Sequence, residues 1–200
     1  MTHHNLITLN DNILAAMDVE TTGRDPAFNE ICQIAIITLD CHLNPVKHFC
    51  SNVRPTYPAR IHPEATATHG LTLDVLNQSP DKYEVADQLW EWFQGLNLAP
   101  GKRLIPLVHN ASFDIPFLQQ FLEYELFNEI IGYPARDTQS LVAGLQDKAA
   151  FNGVKIPFNR CNLATCCETL GVTLDGAHDA LNDALATARV YQALMKQGAW

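Results

Sequence analysis

Asp18 and Glu20, one residue apart, close an apolar run from Ile13 to Met17 and are followed by Thr21-Thr22-Gly23. A short apolar run with Asn-Asp-Asn before it and Gly after it reads as a buried strand. On a strand the two carboxylates project to one face. There they repel and desolvate each other unless a cation sits between them. The competing reading is a strand end at which both acids simply reach water.

Three further positions bear on that choice. Asp114 follows an extended segment near a helix start, and His178 precedes Asp183 in the run His-Asp-Ala-Leu-Asn-Asp. On one continuous helix that offset is roughly 140°, too wide for a shared face. The two converge if His178, close after Gly176, sits on a loop or first turn while Asp183 lies within the helix. Asp179, one turn before Asp183, is a weaker candidate ligand. Hard divalent cations such as Mg²⁺ take oxygen ligands, and four acids from separate elements suit two of them. Two ions ~3.5–4 Å apart can clamp an in-line phosphoryl displacement. A histidine of pKa ~6.5 can take the proton of the attacking water. Singly, each residue reads as structural or solvated. Together they point to metal-dependent phosphodiester hydrolysis.

The elements that must position them can be read in outline. After the first strand and a polar loop, residues 30–40 are rich in β-branched side chains and read as a second strand. Residues 45–54 read as a third, turned by Asn44-Pro45, so that the three form an antiparallel meander. Residues 55–70 are punctuated by prolines and are expected to lie across a face, with His69-Gly70-Leu71-Thr72 as a helix boundary. Val85, Leu89, Trp92, Phe93 and Leu96 fall at helical spacing, a stripe that reads as core packing before nucleobase platform. Residues 103–109 read as a strand, followed by a helix to about Phe127 that Ser112 or Asp114 could cap. Asp137-Thr138 opens another helix, residues 162–170 form a short one stopped by Gly171, and the last runs from near His178 to Lys196. Strands first, then strands alternating with helices, indicate one α/β domain over residues 1–200 with a mixed sheet.

The composition is globular: 47% of the 200 residues are apolar and 18% charged. There is no signal-peptide pattern and no apolar run long enough to span a bilayer. No membrane partner and a cytoplasmic location are therefore expected. The six cysteines show no CxxC pair; Cys161, Cys166 and Cys167 could be metal ligands but read better as small core residues. His3-His4 are too few to mark an expression scar. A net charge of −9 argues against a broad electrostatic grip on nucleic acid.

Asp18-Val19-Glu20-Thr21-Thr22-Gly23, His109-Asn110-Ala111-Ser112-Phe113-Asp114 and His178 with Asp183 resemble the three exonuclease motifs of the DnaQ-like DEDDh 3′→5′ exonucleases. The resemblance spans nearly the whole chain. It implies a ribonuclease H-like mixed β-sheet flanked by α-helices, two divalent metal ions (Mg²⁺, with Mn²⁺ able to substitute), and Asp18, Glu20, Asp114 and Asp183 as metal-linked acids. His178 would be the general base. Val19, Thr21, Thr22 and Gly23 would line the pocket of the 3′-terminal nucleotide. His69 would approach its sugar or phosphate, while Asn110 and Phe113 would shape the cleft beside the scissile bond, though ordinary core packing accounts for Phe113 equally well. Asp137-Thr138 matches the family's Asp-Thr and reads as helix capping.

Departures from the pattern sort among the branches. Arg24, His69 and Arg136 stand where the ribonuclease T-like branch would carry stacking aromatics, so the chain leans toward the proofreading branch. The second motif does not match that of oligoribonucleases. The chain ends at Trp200 soon after Asp183, leaving no room for the polymerase tether of the proofreading branch. The expectation is a stand-alone exonuclease, monomeric or homodimeric, with non-covalent contact to a DNA polymerase left open. It would act on single-stranded 3′ ends of DNA in preference to RNA and release nucleoside 5′-monophosphates. An exoribonuclease is the alternative, and a catalytically silent nucleic-acid-binding module the remaining one.

Overall fold

The computed structural model describes residues 8–9 and 12–196; His3 and His4 lie outside them. Six strands form one mixed sheet. β1 (Thr8–Leu9) pairs with the start of β2 (Asn12–Thr21), and the main path runs β4 (Pro45–Asn52), β3 (Ile31–Leu39), β2, β5 (Leu104–Val108), β6 (Arg136–Asp137). β2, β3 and β4 form the expected antiparallel meander, whereas β5 runs parallel to β2 and β6 parallel to β5. β2 is longer than its apolar run and carries both acids within the strand.

Alternation along β2 and β3 feeds two cores. Ile13, Ala15, Met17 and Val19 face one side with Ile34 and Ile36, beneath α3 (Lys82–Gln94) and α4 (Ala111–Ile130). The predicted stripe of α3 serves this core, and a capping box of Asp81 and Glu84 starts the helix. Leu14 and Ala16 face the other side with Ala35, Ile37 and Leu39, beneath α7 (Ala180–Lys196). Ala180, Ala184 and Ala188 repeat at one-turn spacing, so a smooth helical face lies close on the sheet. The opposite face of α7 packs through Ala186, Val190 and Leu194 on α5 (Thr138–Phe151) and α6 (Leu163–Leu170). Cys166 and Cys167 are buried in that packing as small core residues.

Two expectations are corrected. Residues 55–70 are not merely a crossing loop: Pro63 opens α1 (Pro63–His69), Gly70 closes it in the left-handed conformation, and Thr72 caps the four-residue α2 (Leu73–Leu76). Neither Ser112 nor Asp114 caps α4. Asn110 takes the cap position at φ 85° without a side-chain cap bond, and the Ser112 hydroxyl donates to Asn110 Oδ1. No helix among the described residues is long and apolar enough to cross a membrane.

Candidate active site

Because β2 and β5 are parallel, their carboxyl ends lie at the same edge of the sheet, where the chain leaves a crevice. Asp18 and Glu20 continue the Leu14–Ala16 face toward α7. Asp183 stands one turn above Ala180 on the sheet-facing side of that helix, 9% exposed. Asp114 arrives from the other layer. It occupies the first core-facing position of α4, ahead of Phe117, Leu118 and Phe121, and is 2% exposed.

Four acids are thus drawn to one place, and burial raises all four. Burial, followed by the charges of Asp114, Glu20, Asp183 and Asp179, pushes Asp18 well above the ordinary carboxylate range. Burial and the charges of Asp183 and Asp179 raise Glu20 to about 7. Asp114 is raised mainly by burial, against hydrogen bonds from its own and the Val19 backbone. Asp183 is raised by burial, against a hydrogen bond and charge from His178. Asp114 Oδ1 and Asp183 Oδ1 are buried and have no hydrogen-bond partner. Buried carboxylate oxygens without donors, beside other carboxylates, are what a hard cation satisfies. The donor set fits one.

His178 lies on an exposed turn at φ 68°, just ahead of α7, and its backbone N–H donates to Asp183 Oδ2 at 3.1 Å. The five-residue offset is bridged by this turn. The closest grouping of ligand atoms is Glu20, His178 and Asp183, all within 4.8 Å of one another. Asp18 and Asp114 couple to it electrostatically but stand outside that grouping. Asp179 is otherwise engaged: its Oδ1 accepts from Asn182 N–H at the start of α7, and its Oδ2 from Gln33 Nε2.

A cleft of about 510 Å³ begins at Glu20 and is lined by Thr21, Gly23, His69, Asn110 and Phe113. Leu71 N–H donates to His69 Nδ1, leaving the ring proton on Nε2, 3.7 Å from the Cys32 sulfur. Burial pushes His69 down from the usual histidine range, so it is neutral at pH 7. Phe113 leans on Phe117 with ring centroids 5.1 Å apart, so it both packs and lines. At Gly23, an added Cβ would lie 2.5 Å from Asn29 Oδ1. The close approach matters because Asn29 ties the loop together, accepting from Asp25 N–H and donating to the Arg60 carbonyl.

Two residues expected in the pocket are elsewhere. Thr22 is 1% exposed and its hydroxyl accepts from Glu30 N–H. Val19, 4% exposed, is part of the core under α3 and α4 and leaves only its backbone near the site. A bulge between Glu20 and Thr21 breaks the alternation there, which is why residue parity fails to sort the two threonines. Arg24, singled out after the Thr-Thr-Gly turn, lies on the far wall of the cleft, and the rest of that wall was not anticipated: His62, Glu64 and Thr68 supply it from the region of α1. Gln33 was also missed, although a lone amide within Ile31-Cys32-Gln33-Ile34-Ala35 was a signal. Asp137 caps α5 through Gln139 N–H and holds Asn110 N–H at 2.9 Å.

Known proteins are similar to this chain over most of its length. A family model described as Exonuclease (RNase_T) matches residues 15–191. Ribonuclease T of Yersinia enterocolitica is 29% identical over 198 residues, covering 92% of this chain and 86% of that protein. DNA polymerase III subunit epsilon of Pasteurella multocida is 29% identical over 182 residues, covering 88% of this chain and 65% of the relative. The nuclease domain of 3′hExo, a DEDDh family member bound to rAMP, superposes with a TM-score of 0.67 at 20% identity, covering 93% and 92% of the two chains. E. coli exonuclease I in complex with a dT13 oligonucleotide gives 0.69 at 20% identity; the chain covers 40% of that structure, with 90% of its own length aligned. These structures share the ribonuclease H-like fold. A family match running from within β2 to near the end of α7 places this chain among the exonucleases, as a nuclease-type hydrolase.

Proposed function

We propose that this chain is a divalent-metal-dependent 3′→5′ exonuclease that shortens single-stranded DNA one nucleotide at a time and releases nucleoside 5′-monophosphates. The observation that carries the reading is the cleft of about 510 Å³ opening onto Glu20. Its volume falls within the ~300–1,000 Å³ usual for small-ligand sites. It takes one terminal nucleotide with the scissile phosphate at the acids. Cleavage then falls one residue from the end.

Asp18, Glu20, Asp114 and Asp183 would hold two Mg²⁺ ions, with Mn²⁺ able to substitute. When bound, such ions supply activation of the attacking water and charge stabilisation of the departing oxygen. His178, beside Glu20 and Asp183, takes the proton from that water as general base. Its exposed turn lets it return the proton to solvent. Gly23 admits the terminal sugar close to the backbone. His69 donates through Nε2, and Phe113 offers a ring face at the scissile end. Asn110, held by Asp137, fixes the start of α4 and with it Asp114. The chain acts as one catalytic domain, a monomer or homodimer.

RNA is the second reading, favoured by the 29% identity to ribonuclease T. The test uses 5′-labelled DNA and RNA strands of one sequence with Mg²⁺ or Mn²⁺. A ladder shortening from the 3′ end of DNA is the expected result. A faster ladder on RNA moves the substrate, and no ladder on either overturns the reading.

A further inference from the structure

Resting on that reading, we propose that Gln33 is a positioning residue for the reaction: it fixes the start of α7, and through it His178 and Asp183, over Asp18 and Glu20. Gln33 follows the Leu39, Ile37, Ala35 alternation onto the α7 side of β3 and is 7% exposed. Its Cα partners are Glu20 on β2 and Asn52 on β4, so the three form one row across the sheet beneath the helix start. Both amide hydrogens and one lone pair of the amide oxygen are used. Oε1 accepts from Ala180 N–H at 2.8 Å, while Nε2 donates to Asn52 Oδ1 at 3.0 Å and to Asp179 Oδ2 at 3.3 Å. Ala180 N–H can only donate, so the amide has one permitted orientation.

The first residue of α7 and the residue before it are thereby pinned to the sheet from one side chain. Asp183 lies one turn on, with its backbone N–H bonded to the Asp179 carbonyl. His178 directly precedes Asp179, on a turn whose other ties are His178 N–H to Asp183 Oδ2 and a long 3.5 Å bond from Asn182 Nδ2 to the Gly176 carbonyl. Loss of the Gln33 latch frees the helix start while the alanine face of α7 remains packed further along. A displacement of ~1 Å in a reacting group can cost on the order of 100-fold in rate. Gln33 is not among the residues that line the cleft.

The test compares the wild type, Gln33→Leu, and the double variant Gln33→Glu/Asp179→Asn. The double variant reverses donor and acceptor between the two side chains, while the new carboxylate still accepts from Ala180 N–H. Activity is read on the p-nitrophenyl ester of thymidine 5′-monophosphate and on a labelled DNA strand, and backbone amide exchange over residues 179–184 is read on the metal-free proteins. Gln33→Leu is expected to lower kcat at least ~10-fold with KM within ~2-fold, and to speed exchange in that stretch. The double variant should bring both back to within ~3-fold of wild type. Full activity in Gln33→Leu, or a double variant that restores protection without restoring kcat, overturns the role. A wild type inert on both substrates overturns the exonuclease reading itself, a result separable from slow exchange at Ala180, which reports the latch alone.

Discussion

On the proposed reading, the carboxylate of Asp18 is a liability without metal and a ligand with it. Asp18→Ala is expected to lower kcat by at least ~10³-fold, the scale on which metal-site catalysis depends on each anchoring group. It should raise the melting temperature of the metal-free protein, because it removes one of the mutually raised acids. Thermal melts with EDTA and single-turnover assays with Mg²⁺ check both halves. Glu20 gives the pH dependence. A carboxyl whose folded pKa is raised from 4.5 to about 7 contributes stability that is whole below the unfolded value and is lost as pH rises through the folded one. The metal-free protein should therefore melt higher at about pH 5.5 than at about pH 8, and Mg²⁺ should reverse the deficit at the higher pH. His178→Ala should cut kcat by about 10²–10⁴-fold, with Mg²⁺-induced stabilisation retained in the same melts. Much of this was legible in the sequence, because parity on a strand and order along the chain carry it. Thr22 and Val19 were misplaced because neither the bulge nor the depth of a side chain is written in spacing.

α4 is one element whose regularity is broken by its own backbone. Glu123 sits at φ 58° and ψ 170° inside it, a region only glycine enters without strain of ~1–3 kcal/mol. Its carboxylate pairs with Lys82 at 3.0 Å, but with Glu123 65% exposed such a pair contributes ~0–1 kcal/mol. Glu123→Gly should stabilise the protein by about 1 kcal/mol in urea melts, with activity unchanged. The break falls inside the helix predicted to run to about Phe127, ahead of that end, and no residue type announced it. Pro63 likewise read as loop punctuation because a proline marks a helix start and a turn equally well. α3 and α7 were legible from a long apolar periodicity, and α4, α5 and α6 from their boundary residues.

For the molecule as a whole, the net charge of −9 sets the terms of any encounter with a polyanion. Arg54–Asp81 and Lys82–Glu123 are paired away from the site, and the cleft wall adds Arg24 and Glu64 together. Grip must then be local. With two or three phosphates engaged, the logarithm of affinity for a single strand should fall against the logarithm of salt with a slope of only about −1.4 to −2.1. A fluorescence-anisotropy titration of a catalytically dead variant across salt concentrations measures it. The antiparallel meander followed from hydrophobic pattern and turn residues, whereas the local charge of the cleft required knowing which surface residues the fold brings together.

The placement of α7 has a consequence in time. Asp18 and Glu20 leave the ribosome early, but the helix that lays His178 and Asp183 over them belongs to the last stretch of the described chain. On the proposed reading, a nascent polypeptide carries acids but no working centre until that helix docks, and an enzyme able to erode nucleic acid is inert beside the transcript from which it is being made.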